Sequence, residues 1–104
     1  MISGEIVNKL SELGIRHPIF IDKYSFGYGH WENHEYMLAN STEIELIGLC
    51  TDICVISNAL ILKAFFPDVK ITVDVSCCAG TTLELHEAAI KVMKSCQINV
   101  IGDE

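Results

Sequence analysis

Basic residues are scarce in this sequence, and they form no cluster. Lysine and arginine together number 7, against 14 aspartate and glutamate residues, and the net charge is −7. Phosphate groups are bound by clustered basic side chains. We therefore expect neither a nucleic acid nor an anionic membrane surface as a partner.

Long apolar runs are missing as well. The longest, residues 53–66, is interrupted by Ser57, Asn58 and Lys63 and is too short to span a bilayer. The first ten residues lack the basic patch and apolar core of a signal peptide. We therefore predict a cytoplasmic protein without a membrane partner.

The sequence contains no CxxC pair, which argues against a structural zinc site. Its cysteines number 5, and an odd count without a secretion signal indicates reduced thiols. We expect no metal and no other cofactor. The thiols belong to Cys50, Cys54, Cys77, Cys78 and Cys96.

Apolar residues, by contrast, are abundant. They make up 50% of the 104 residues, and the mean hydropathy is +0.35. This length predicts a single domain, residues 1–104. Because a domain of about 100 residues buries only about two-thirds of its unfolded surface, we expect some apolar surface to face a partner chain or a missing part of the fold.

Helical and strand patterns alternate along the chain. We predict an α/β fold, a three-layer αβα arrangement with a parallel, Rossmann-like sheet of about four strands and helices on both faces. Functional residues in such sheets lie at the carboxyl ends of the strands, here Asp22–Lys23, the turn at 48–54 and Ser76–Gly80. The predicted helices are 5–13, 32–39, 53–66 and 81–96, and the predicted strands are 18–22, 43–49, 69–76 and 98–102.

The last helix has the clearest helical pattern. Thr81 and Glu84 have the spacing of a capping box. We predict that its His86 lies on the surface. The predicted inward stripe consists of Leu85, Ala88, Ala89, Val92 and Cys96.

The turn "GLCTDICV", residues 48–55, joins an apolar strand to a buried helix. In the first helical turn, unpaired N–H groups and the helix dipole favour thiolate over thiol at Cys54. Thr51 or Asp52 is expected to cap this helix. The alternative is that Cys54 is a small buried hydrophobic residue, and we expect that role or a turn position for the other cysteines. Cys50 is the one whose backbone we expect to matter.

Two other groups have open roles. Lys23 is either a solvated residue at a strand end or, if it faces Cys54, a cation that stabilises the thiolate. His30 and His34 have the spacing of metal ligands on a helix, but no carboxylate or cysteine joins them, which favours two solvated side chains.

Residues 45–95 resemble the second half of the isochorismatase-like cysteine hydrolases, the superfamily that includes nicotinamidases. "IDKYSFGYG", residues 21–29, resembles the family's segment with the catalytic lysine, and "SGEIVNKL" resembles the start of the preceding helix. The resemblance therefore covers almost the whole chain. The matching residues are Gly48, Thr51, Asp52, Cys54, Val55, Asp74, His86, Ala89, Ile90 and Met93.

The resemblance implies a C–N hydrolase acting on a small amide through a thioester. It implies that Cys54 is the nucleophile and Lys23 its cationic partner. It also implies a cis peptide at Leu49–Cys50, and an oxyanion site formed by the backbone N–H groups of Cys50 and Cys54. Because Cys54 is present, isochorismate is a disfavoured substrate. The expected walls of the substrate pocket are Phe26, Tyr28, Trp31 and Leu49, although ordinary loop packing would equally explain the aromatic residues.

The sequence departs from the family in three respects. The strand carrying the general-base aspartate and the metal-binding His and Asp cluster of nicotinamidases have no counterpart, and Asn58 stands where threonine is common. We therefore expect the C-terminal portion of the hydrolase domain, with little or no amidase activity by itself. We also expect it to form a homo-oligomer or to pair with the missing N-terminal half.

Two other functions stay open. One is a non-catalytic α/β scaffold or interaction module, which the missing aspartate would favour. The other is a redox protein using Cys50 and Cys54, which is disfavoured because their spacing is not that of a CxxC pair.

Overall fold

The computed structural model describes residues 25–103, which form a parallel three-stranded sheet with helices packed against it. The α/β class and the parallel sheet are thus confirmed. The predicted helix 5–13, the predicted strand 18–22 and Lys23 lie outside the described residues. The strands, in the sheet order β1-β2-β3, are β1 (Glu43–Leu49), β2 (Lys70–Ala79) and β3 (Asn99–Ile101).

Helical segments precede the sheet and connect its strands. A 3₁₀ turn at Trp31–His34 leads into α1 (Glu35–Ala39), where one helix was predicted. A π-helical turn, Thr51–Val55, leads into α2 (Ile56–Phe65), which ends just before Pro67 as the sequence predicts. The third helix, α3, spans Leu83–Ser95. No helix within residues 25–103 has the length and apolar character needed to cross a membrane.

The hydrophobic core lies on one face of β2. Every second residue of this strand points into it: Ile71, Val73 and Val75 are all buried. Leu62 of α2 and Met93 of α3 pack into the same cluster and are at most 1% exposed. Both long helices of the described chain therefore cover the same face of the sheet, and the predicted layer of helices on the other face stays a prediction.

The buried face of α3 differs from the predicted stripe. Ala89 and Met93 are buried, with Ile90 partly buried beside them, whereas Leu85 and Val92 are 47% and 46% exposed. Cys96, also predicted to point inward, is exposed at the end of the helix. Two apolar stripes run along this helix one residue apart, so the hydrophobic period alone does not decide between them.

The opposite face of the sheet carries a polar row. The Thr72 hydroxyl donates to Oε2 of Glu43 at 2.5 Å and accepts from Nδ2 of Asn99 at 3.1 Å. Lys70 lies 3.6 Å from the same Glu43 carboxylate. The hydrogen bond from Thr72 is the main cause of the lowered pKa of Glu43. The polar row thus crosses all three strands.

Strand β2 bulges after Val73. Leu46 pairs with Val73, but Gly48 pairs with Cys78, so extra β2 residues loop out between these pairs. Asp74 holds the bulge, because its Oδ1 accepts from the Ser76 amide at 3.1 Å and from its hydroxyl at 2.6 Å. The bulge extends β2 three residues beyond the predicted strand end and brings Cys78 alongside the β1 carboxyl end.

Candidate active site

The turn between β1 and α2 begins with an unusual backbone. Gly48 has φ +128°, a value that other residues rarely adopt, and the peptide bond between Leu49 and Cys50 is cis, where the resemblance implied it. The Cys50 carbonyl then accepts from the amides of Ile53 and Val55, at 3.0 and 3.1 Å. The predicted regular helix start at Ile53 is therefore replaced by a π-helical turn that begins two residues earlier.

Cys54 lies in this π-helical turn, half-buried, at the carboxyl end of β1. It lines an open cleft of about 230 Å³. Leu49, one of the predicted substrate-binding residues, lines the cleft too and is 69% exposed. The other lining residues are Leu46, Ile47, Gly48, Val55 and Asn58.

The prediction that Thr51 or Asp52 caps α2 is wrong. Both residues instead connect the turn before α2 to α3. No side chain caps the turn that begins after Cys50. The Thr51 hydroxyl is buried and lies 2.7 Å from Nδ1 of His86. His86, predicted to be on the surface, is half-buried because this contact turns it inward.

The carboxylate of Asp52 accepts two hydrogen bonds from Thr81, one from the amide at 2.8 Å and one from the hydroxyl at 2.6 Å. These bonds hold the pKa of Asp52 below its ordinary value. Thr81 therefore does not form the predicted capping box. Instead, Thr82 is the N-cap of α3, and its side chain accepts from the Leu85 amide at 3.1 Å.

Gly80 allows these two segments to approach each other. A Cβ at this position would lie 2.7 Å from the His86 Cβ and 3.0 Å from Oδ1 of Asp52. Since real Cβ atoms do not come so close to other atoms, only glycine fits without displacing α3 or the Asp52 carboxylate.

The aromatic residues before α1 pack mainly against one another. The Tyr28 and Trp31 rings meet edge-to-face with centroids 4.8 Å apart, and the Tyr28 hydroxyl lies 3.2 Å from Nε2 of His34. Trp31 also packs against the core, and its Nε1 is buried without a hydrogen-bond partner among the described residues. Phe26 is 64% exposed. None of these aromatic residues is among the cleft-lining residues named above.

Asn58 is a site residue that sequence reasoning did not assign. It lines the cleft beside Cys54 and hydrogen-bonds to the Cys54 carbonyl at 3.0 Å. Asn58 also hydrogen-bonds to the backbone of Phe26 and Tyr28, which belong to the aromatic loop, residues 25–30. The only signal in the sequence was that asparagine replaces the threonine common in the family.

The cysteine and histidine residues discussed next do not line the cleft. Cys77 and Cys96 are exposed, and Cys78 is half-buried with its pKa raised chiefly by desolvation. His30 lies 3.4 Å from Glu32 instead of sharing a site with His34. Within residues 25–103, no three His, Cys, Asp or Glu side chains are grouped so that they could hold a metal ion.

Comparison with known proteins identifies the fold. The structure superposes on the nicotinamidase of Staphylococcus aureus with a TM-score of 0.75 and 24% identity, covering 96% of this chain and 63% of that one. For a pyrazinamidase/nicotinamidase of Streptococcus mutans the TM-score is 0.74 and the identity 19%, with 96% and 56% covered. For yeast nicotinamidase the TM-score is 0.66 and the identity 16%, with 95% and 51% covered.

These likenesses establish the fold, and this chain spans between about half and two-thirds of the length of those enzymes. No curated protein sequence matches it significantly. Residues 5–104, however, match the family described as the Isochorismatase domain. The chain therefore belongs to the isochorismatase domain family.

Proposed function

We propose that this chain carries the nucleophile of a cysteine hydrolase that cleaves the C–N bond of a small amide. The observation that carries the proposal is the position of Cys54, which lines a cleft at the carboxyl end of β1. The fold neighbours named as nicotinamidases support the choice of an amide over other substrates.

In the proposed reaction, the Cys54 thiolate attacks the amide carbonyl carbon and a C–S bond forms. The carbonyl oxygen becomes an oxyanion, held by the backbone N–H groups of Cys50 and Cys54. The C–N bond then breaks, and the nitrogen leaves as ammonia or an amine after taking a proton. Water hydrolyses the resulting thioester, which releases the acid and restores the thiol.

Lys23, which lies outside the described residues, is proposed to stabilise the thiolate and the oxyanion. Leu49, Phe26, Tyr28 and Trp31 are proposed to wall the substrate pocket. A general base is needed to take the proton of the Cys54 thiol and then, as the conjugate acid, to pass it to the leaving nitrogen. In the family this base is an aspartate on a strand without a counterpart in these residues. We therefore expect the 104-residue chain by itself to hydrolyse nicotinamide at or near the background rate.

The proposal can be tested with a reaction that does not require the general base. The purified chain is treated with iodoacetamide at pH 7, and alkylation of each cysteine is followed by mass spectrometry. Cys54 is half-buried and Cys77 and Cys96 are exposed, so simple accessibility would favour the latter two. A stabilised thiolate predicts the opposite order, with Cys54 alkylated roughly tenfold faster.

Lys23→Ala should remove that advantage, whereas Lys91→Ala on the exposed face of α3 serves as the matched control and should preserve it. If Cys54 reacts no faster than Cys77 and Cys96, the nucleophile assignment is wrong. The non-catalytic α/β scaffold would then describe the chain better.

A further inference from the structure

The side chain of Asn58 spans two segments that are distant in sequence. Its Nδ2 donates to the Cys54 carbonyl at 3.0 Å and to the Phe26 carbonyl at 3.3 Å. Its Oδ1 accepts from the Tyr28 amide at 2.7 Å. One amide group on α2 therefore binds both the turn that carries Cys54 and the backbone of the aromatic loop, residues 25–30.

The two contacts with the aromatic loop follow the pattern of a strand pairing. In a parallel pair, one residue donates to the carbonyl before its partner and accepts from the amide after it. Asn58 does the same with Phe26 and Tyr28, on either side of Gly27. A side-chain amide can imitate a peptide group in this way because it has a donor and an acceptor at fixed spacing, whereas a threonine hydroxyl cannot span both positions.

The packing at Gly27 independently shows that the aromatic loop is docked on α2. A Cβ at Gly27 would lie 2.5 Å from Cδ1 of Ile61 and 3.6 Å from Cβ of Ser57. The loop backbone thus lies directly on the surface of the helix, next to Asn58. Beyond it, the Tyr28 ring packs against Trp31 and contacts His34.

We propose that Asn58 is a positioning residue that fixes the aromatic loop at a set distance from the Cys54 sulfur. This inference rests on the proposed function only where it takes the loop to be a wall of the substrate pocket. The hydrogen bonds from Asn58 to Phe26, Tyr28 and Cys54 thus act as a clamp. Loss of this clamp releases the loop and weakens substrate binding.

Two variants separate the contacts of Asn58. Asn58→Asp keeps the shape and the acceptor for the Tyr28 amide but loses the donor to Phe26 and Cys54. Asn58→Thr can still bond the carbonyl four residues earlier, that of Cys54, but cannot span the loop. The matched control is Asn99→Thr, which removes a single hydrogen bond to Thr72 on the polar face of the sheet.

Trp31 is the only tryptophan in the chain, and its ring packs against that of Tyr28 in the aromatic loop. Its fluorescence therefore reports on the position of the loop. Acrylamide quenching of Trp31 should increase roughly twofold in both Asn58 variants and stay unchanged in Asn99→Thr, with circular dichroism confirming that each is folded. A folded Asn58→Thr chain with wild-type quenching would overturn the clamp, whatever the other measurements give.

Protection of Cys54 from iodoacetamide by nicotinamide tests the consequence for the substrate pocket. Asn58→Thr should need about tenfold more nicotinamide than the wild type for the same protection, because the loop wall is misplaced. If nicotinamide protects both chains equally, the positioning role is refuted. If it protects neither while Trp31 quenching still rises, nicotinamide is not a ligand, but the clamp stands.

Discussion

Asp52 and Thr81, 29 positions apart in the chain, are joined by two hydrogen bonds to a single carboxylate. Asp52 belongs to the turn that carries Cys54, and Thr81 lies in the link between β2 and α3. A third contact, between Thr51 and His86, runs parallel to this pair. The geometry of the candidate nucleophile therefore depends on where α3 begins.

The first prediction concerns the pH dependence of this link. Thr81 lowers the pKa of Asp52 in the folded state, whereas the unfolded chain has the ordinary value near 4. The carboxylate therefore stabilises the fold fully above the unfolded pKa, and this stabilisation is lost as the pH falls through the folded pKa. The difference in free energy of unfolding between the wild type and Asp52→Asn should be constant above about pH 5 and narrow below about pH 4.

Urea denaturation across this pH range measures that difference. Glu43 and Asp103 also have lowered pKa values, through hydrogen bonds from Thr72 and Lys94 respectively. Since both carboxylates are present in the two chains, their contributions cancel in the comparison. A difference that does not change between pH 3 and pH 7 would contradict the link to Asp52 ionisation.

The second prediction concerns the close approach at Gly80. Gly80→Ala places a methyl group against His86 and Asp52, so part of the turn has to shift at a cost of about 1–3 kcal/mol in unfolding free energy. Gly29→Ala is the matched control, because a Cβ there meets nothing within 4 Å. Equal thermal stability of the two variants would show that the turn accommodates the methyl group.

The third prediction compares two neighbouring residues of α3. Met93 is fully buried, so Met93→Ala should lower the free energy of unfolding by about 2–5 kcal/mol. Val92 is 46% exposed, so Val92→Ala should change it by about 0.5 kcal/mol or less. Denaturant titration distinguishes the two orientations of the helix, since the predicted inward stripe with Val92 reverses this order.

The fourth prediction concerns the start of α3. Thr82→Ala removes the side chain that caps the Leu85 amide and should cost about 1 kcal/mol in unfolding free energy, most of which Thr82→Ser should restore. Glu84→Ala, which would remove the acceptor of a capping box, should have a smaller effect, because the Thr81 amide is already bonded to Asp52. Thermal unfolding of the three variants is the measurement, and a larger loss for Glu84→Ala than for Thr82→Ala would favour the capping box instead.

The sequence predicted the order of the described elements and the bounds of β1, since alternation and turn residues act locally. It did not predict the inward face of α3, because His86 looked like a surface residue until its contact with Thr51 was known. The predicted N-cap of α3 was also wrong, by one position, because a distant contact decides it. Thr81 and Thr82 both have the right chemistry, and only the distant Asp52 decides between them.

Some features of the candidate site were likewise expected from the sequence, and others were not. Cys54 and the cis bond between Leu49 and Cys50 were expected from the resemblance to the family, and that bond is cis in the structure. The role of Asn58 could not be foreseen, because its partners on the aromatic loop are about 30 positions away. Lys23 lies outside the described residues, so its relation to Cys54 stays a prediction.

The polar row of Glu43, Thr72 and Asn99 restricts how the three strands can align. Sliding β1 by one residue would turn its apolar side chains away from the core, but sliding it by two would keep them inward. Such a two-residue slip would move Glu43 away from Thr72, whose side chain is buried, and leave that hydroxyl without its acceptor. The polar face thereby selects one strand alignment among those that burial of the apolar side chains would allow equally well.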